Sequence, residues 1–195
     1  MEESRINAVT ERLYSEANLY VHARNGIKLS YKMPMYARDR IEKASKEQLY
    51  CNSDNLEHCL KRLSLEDRIL VMDKVYEISA ETQTQAMEDN SPEIYHKLQQ
   101  GKVIEETFHR QLLEIFNNKI LIEKNEDEAQ EILAKLPSNQ LEGFLDTLKP
   151  WCSSQQNYKS QFDILTEMGT NILDAREATA FTPEETSNFE QAPEA

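Results

Sequence analysis

The chain reads as an all-α protein: an irregular multi-helix bundle or short α-solenoid of about eight helices, ending in a disordered acidic tail. Three observations predict this. Good helix formers dominate 195 residues that include only four glycines and six prolines, too few for the many turns of a β-fold. Apolar side chains recur at three- and four-residue steps along most of the chain. From Ser64 to Ala80, finally, Leu65, Ile69, Val71, Met72, Val75, Tyr76 and Ile78 cover about half of a helical wheel, more than the roughly 100° stripe of a surface helix. That stretch is expected at the centre, touching neighbours on two sides. The length suits one domain over 1–181, able to bury a core, with a tail over 182–195.

The elements follow in order. From Ser4 to Arg24, Ile6, Val9, Leu13, Ala17 and Tyr20 mark an amphipathic helix. Asn25-Gly26, tolerant of a left-handed backbone, predicts its end. Ile27, Leu29, Tyr31 and Met33 then alternate with Lys28, Ser30 and Lys32 up to Pro34. Alternation is strand-like, but a lone strand is unstable, and the only other β-like run is Lys119 to Glu123. An extended loop packed on the helices is expected, with a two-stranded pairing as the alternative. Tyr36, Ile41, Ala44 and Leu49 give a thin apolar face to a second helix over Met35 to Tyr50. Asn52-Ser53-Asp54 predicts a break, then a short helix carrying Leu56, Cys59, Leu60 and Leu63.

Ser64 with Asp67 three residues on is a capping pair that opens the central helix. Ser91-Pro92-Glu93 opens the next. Its stripe, Ile94, Leu98, Gly101, Ile104, Phe108, Leu112, Ile115 and Phe116, passes the glycine without a phase shift. One helix from Pro92 to about Leu121 is therefore expected, with Gly101 at a close helix crossing. Asn125 precedes a helix holding Ala129, Ile132, Leu133 and Leu136. Pro137 ends it and Ser138 caps another, with Leu141, Phe144, Leu145 and Leu148 inward and Pro150 as its stop. Trp151 is expected to plug a gap between helices, with partner docking as the alternative. A last helix, Ser154 to Ala180, carries Tyr158, Phe162, Leu165, Gly169, Ile172 and Leu173. Beyond Phe181, TPEETSNFEQAPEA has too few apolar groups to order itself.

Charge narrows the partners. The net charge is −13, yet the first fifty residues are net positive by two. Most of the molecule repels nucleic acid and anionic membrane; only the first quarter attracts them. Nucleic acid is thus an unlikely ligand overall. No run approaches the roughly 18 to 20 apolar residues of a membrane span, and the N-terminus does not resemble a signal peptide. Cys51, Cys59 and Cys152 fall at neither zinc nor redox spacings, so reduced thiols and a cytoplasmic setting are expected.

Two Glu-x-x-His units, Glu93/His96 and Glu106/His109, carry the clearest enzymatic pattern, because di-iron carboxylate bundles use such pairs. On one continuous helix, however, they lie 13 residues apart, about 220° around and roughly 20 Å along the axis. They cannot then share a metal, and no metal or cofactor is expected. His109 is read as a core-edge histidine and His96 as a surface one, with His22 and His58 isolated. Acid pairs such as Glu123/Glu126 and Glu128/Glu131 match ordinary solvated helix faces. Arg24, Lys28, Lys32, Arg38, Arg40, Lys43 and Lys46, interleaved with Tyr31, Tyr36 and Tyr50, would suit single-stranded nucleic acid or a phosphorylated partner.

Glu184, Glu185 and Glu190, set among small and polar residues, resemble the acidic C-terminal translocation signals of Legionella-type Dot/Icm type IV secretion effectors. The resemblance is compositional and covers about the last twenty residues. It implies a bacterial protein delivered into a host cell and says nothing of its activity there. The function expected is binding of a protein partner through a helical surface, at Tyr31, Tyr36, Arg38 and Arg40 and at Trp151. A metal-dependent helical enzyme and a nucleic-acid-directed protein are the alternatives.

Overall fold

The computed structural model describes the backbone of residues 2–154 and 159–181 and the side chains of 2–150 and 161–181. Among these residues there are seven α-helices, one π-helical turn and no strand. They divide into two compact units, Met1–Phe116 and Asn117–Ala195.

The first unit contains α1 (Glu2–Ser30), α2 (Met35–Lys61), α3 (Leu65–Glu88) and most of α4 (Pro92–Asn117). Helices α1 and α2 form a long antiparallel hairpin: Gly26 lies against Ser45, and about 15 Å further from the tip by helical rise, Asn55 donates to Glu16. Four stripes meet in the core. Ile6, Leu13, Ala17 and Val21 face Leu56 and Leu60, Val71, Met72 and Val75, and Ile104, Phe108 and Leu112, all nearly fully buried. Each such Leu, Val, Ile or Phe contributes about 1.5–3 kcal/mol relative to exposure. Polar ties fix the register. Gln111 donates to the Glu57 carbonyl and accepts from Arg68, Gln100 donates to the Tyr14 carbonyl, and Arg5 pairs with Asp67 at 2.7 Å.

The Ser64 cap forms as expected, its hydroxyl accepting from the Asp67 amide. Helix α4 runs unbroken through Gly101, where an added Cβ would stand 2.9 Å from Ser79 Oγ and 3.1 Å from Tyr14 Oη.

Three expectations fail in this unit. Asn25-Gly26 does not end α1, which continues to Ser30. Gly26 has no left-handed backbone; it lets α2 approach, with Ser45 Oγ 2.7 Å from where its Cβ would be. The alternating Ile27–Met33 stretch is neither strand nor packed loop: it completes α1 and enters a turn closed by the Lys32 and Met33 amides on the Leu29 and Ser30 carbonyls. The break at Asn52 is also absent. Its amide donates to the Gln48 carbonyl one turn back, so the side chain is satisfied inside a continuous α2.

The second unit contains the π-turn Asn118–Ile122, α5 (Glu126–Lys135), α6 (Ser138–Ser154) and α7 (Lys159–Ala180). The β-like Lys119–Glu123 run is this π-turn, with the Glu123 amide on the Asn118 carbonyl. Lys119 clasps Glu123 at 2.8 Å and Glu128 at 2.9 Å, and the chain reverses at Lys124, φ 55°. Asn125 caps α5 by accepting from the Glu128 amide. Leu133, Leu136, Leu141, Phe144, Leu148 and Leu165 form the core. Arg176 of α7 donates to the Ala134 and Leu136 carbonyls and to Ser138 Oγ, pinning the α5–α6 turn. Pro150 does not stop α6, which continues to Ser154. So close to the helix end, the missing proline N–H removes only one late hydrogen bond. The side chain of Trp151 and the tail 182–195 lie outside the described residues.

Candidate functional site

The outer half of the α1–α2 hairpin is organised differently from its base. No residue of α2 from Met35 to Cys51 is buried. The sequence explains this: Met35–Tyr50 has a thin apolar face and seven charged residues, too little to recruit a third helix. At the tip, Ser30 is buried and donates to the Ile27 carbonyl, and Pro34 starts α2 by accepting from Ala37 and Arg38.

This tight turn leaves large apolar groups in solvent. Met35 and Tyr36 are 80% and 84% exposed, and Leu29, Tyr31 and Met33 about half exposed. The Arg38 guanidinium stacks 4.4 Å above the Tyr31 ring and contacts Glu42 at 3.9 Å. Lys46 grips the other oxygen of Glu42 at 2.6 Å and holds that carboxyl below its usual range. Arg40 is exposed. From Arg24 to Lys46 the chain is net positive by five.

Of the residues expected to bind a partner, Tyr31, Tyr36, Arg38 and Arg40 thus gather at one end of the hairpin, with Tyr31 and Arg38 in contact. Trp151 is in the second unit. Leu29, Met33 and Met35 fall within the Ile27–Tyr36 segment where the sequence points to an interaction surface, but its tyrosines and arginines, not these apolar residues, are the ones it singles out. The signal that could have found them was the missing apolar face opposite.

The histidines are placed as follows. His109 is 1% exposed, deeper than the core edge expected, and burial pushes its pKa down to about 4. His96 is partly buried, with Nε2 2.5 Å from Asn18 Oδ1. His22 is not isolated: its ring lies against that of His96, centroids 4.7 Å apart and planes tilted by 37°. Burial, then the His22 charge, lowers the His96 pKa. His96 and His109 stand at separate levels of the unbroken α4. Among the described residues no group of three or more His, Cys, Asp or Glu side chains gathers to hold a metal, and Cys51 and Cys59 are free thiols. None of the described helices is long and apolar enough to cross a membrane.

No protein-family model, curated protein or solved structure matches the chain.

Proposed function

We propose that the protein is a binding module that docks a partner protein through the tip of the α1–α2 hairpin. The observation that carries this is the crest Leu29, Tyr31, Met33, Met35 and Tyr36, left in solvent on a two-helix arm. Burying Met35 and Tyr36 alone would be worth roughly 1.5–3 kcal/mol each before ordering costs. Aromatic and methionine anchors are the side chains that dominate interfaces, and the cations around them select a partner segment with acids beside its apolar groups. Nucleic acid is the weaker reading, because the chain as a whole carries a net charge of −13 and repels a polyanion. On this reading the effector-like composition of the tail would place the partner in a host cell.

The test is affinity capture with the full chain from bacterial and host lysates, beside the triple variant Tyr31→Ser, Met35→Ser, Tyr36→Ser. A stoichiometric protein captured by the parent and lost from the variant, with unchanged helical circular dichroism, is the expected result. Equal capture by both would remove the tip as the docking surface.

A further inference from the structure

A cavity of about 220 Å³ opens between α1 and α4. Its walls are two facing helical stripes. From α1, Arg24 and Lys28 lie one turn apart with Asn25 beside them; from α4 come Gln99, Lys102 and, one turn on, Glu106. The buried side chains of Val21 and Val103 make the floor. Three cations thus converge on one apolar-floored cleft, opposed by one carboxylate, in a chain of net charge −13.

Several exposed cations elsewhere in this acidic protein are taken up by carboxylates: Arg5 by Asp67, Lys46 by Glu42, Lys61 by Glu57 and Glu114, Lys74 by Glu77, Lys119 by Glu123 and Glu128. Arg24 and Lys28 have no ion pair or hydrogen bond among the described residues, although acids are plentiful. Like charges one turn apart repel by a few tenths of a kcal/mol, and Lys102 from the facing helix adds to that. Glu106 faces the three from within the cleft, and Glu105, one residue before it, also attracts Lys102, so the surplus of two positive charges rests on Arg24 and Lys28, beside two neutral amides able to donate.

We propose that this cleft binds a phosphate monoester, whose dianion matches that surplus. The phosphate oxygens accept from Arg24, Lys28 and Lys102, with Arg24 offering a bidentate fork. Asn25 and Gln99 donate at the sides, and the ester carbon rests on Val21 and Val103. Glu106 faces the same space and sets a limit on affinity by repulsion. The ester belongs either to a free small molecule or to a lipid headgroup.

Two probes separate these sources. One is phenyl phosphate, titrated calorimetrically into the full chain at low ionic strength. The other is phosphatidylcholine vesicles with and without phosphatidic acid, whose headgroup is a phosphate monoester, assayed by cosedimentation. Saturable binding to at least one of them is expected. Arg24→Gln and Lys102→Gln should each weaken it by roughly tenfold, the scale of one charge-assisted hydrogen bond. Glu106→Gln should tighten it. Arg12→Gln, on α1 but outside the cleft, changes net charge by the same amount and should have no effect. Failure of both probes to bind, weakening by Arg12→Gln equal to that by Arg24→Gln, or weaker binding by Glu106→Gln would each overturn the proposal.

Discussion

His109 couples one side chain to the stability of the first unit. Its imidazole is almost fully enclosed, and removal from water disfavours the charged form, so its pKa falls from 6.5 to about 4. In the unfolded chain it titrates near its ordinary value. Below pH 6.5 the unfolded state therefore takes up a proton that the folded state refuses, and stability is lost as pH falls toward 4. A shift of this size corresponds to roughly 3 kcal/mol at the acid end. Glu105 opposes it: burial raises its carboxyl pKa, with Tyr76 bonded to it, so its burial is less costly as acid is added. The carboxylates held low by lysines, such as Glu42, lose their contribution only at lower pH. Urea unfolding at pH 7 and pH 5 should thus show a clear loss in the parent and a shallower one in His109→Gln. Equal slopes would mean that His109 is not held neutral. The histidine's burial could be anticipated from its place beside the Phe108–Leu112–Phe116 stripe. The His22–His96 contact could not, because it depends on how α1 and α4 cross.

At the scale of elements, the signals that held were caps and unbroken stripes: Ser64, Asn125 and the α4 face through Gly101. Those that failed were three of the breakers, though Pro137 does separate α5 from α6. Asn25-Gly26, Asn52 and Pro150 each carry a local tendency to end a helix, and each sits inside one, because packing outweighs a propensity of about 1 kcal/mol for glycine or asparagine and a late proline removes little. The glycines are instead contact points, and their surroundings rank them. At Gly26 an added methyl meets only Ser45 Oγ, which can rotate away, so Gly26→Ala should be neutral or slightly stabilising through the helix propensity gained. Gly101→Ala meets both Ser79 and the larger Tyr14 and should cost about 1 kcal/mol. Gly169→Ala runs into Leu145, whose Cδ2, Cδ1 and Cγ lie 2.7, 2.9 and 3.2 Å away. Overpacking of that kind costs about 1–3 kcal/mol. Thermal unfolding of the three variants should follow that order, with Leu145→Val restoring much of the Gly169→Ala loss. A reversed order would mean that the helix approaches are looser than these distances.

For the whole molecule, helical class followed from composition and periodicity, and the charge contrast between the first quarter and the rest was equally plain. The tip could be singled out from its tyrosines and arginines; its exposure could not, since that required knowing that no residue of α2 from Met35 to Cys51 is buried among the described residues. Division into two units was harder to see, because the apolar stripe of α4 runs to Phe116 with no linker, glycine or charge run at the boundary. Each unit nevertheless has its own core: one built on Leu13, Leu56, Met72 and Phe108, the other on Leu133, Phe144 and Leu165. The ties described between α1, α2, α3 and α4, from Arg5–Asp67 to Gln111–Glu57, all close within the first unit. Residues 1–116 also exceed the roughly 40–60 residues below which a core becomes marginal. A fragment ending at Phe116 should therefore fold alone, giving strongly helical circular dichroism and a single cooperative urea transition. A fragment with little helicity, or one that unfolds gradually, would show that the first unit depends on residues beyond 116.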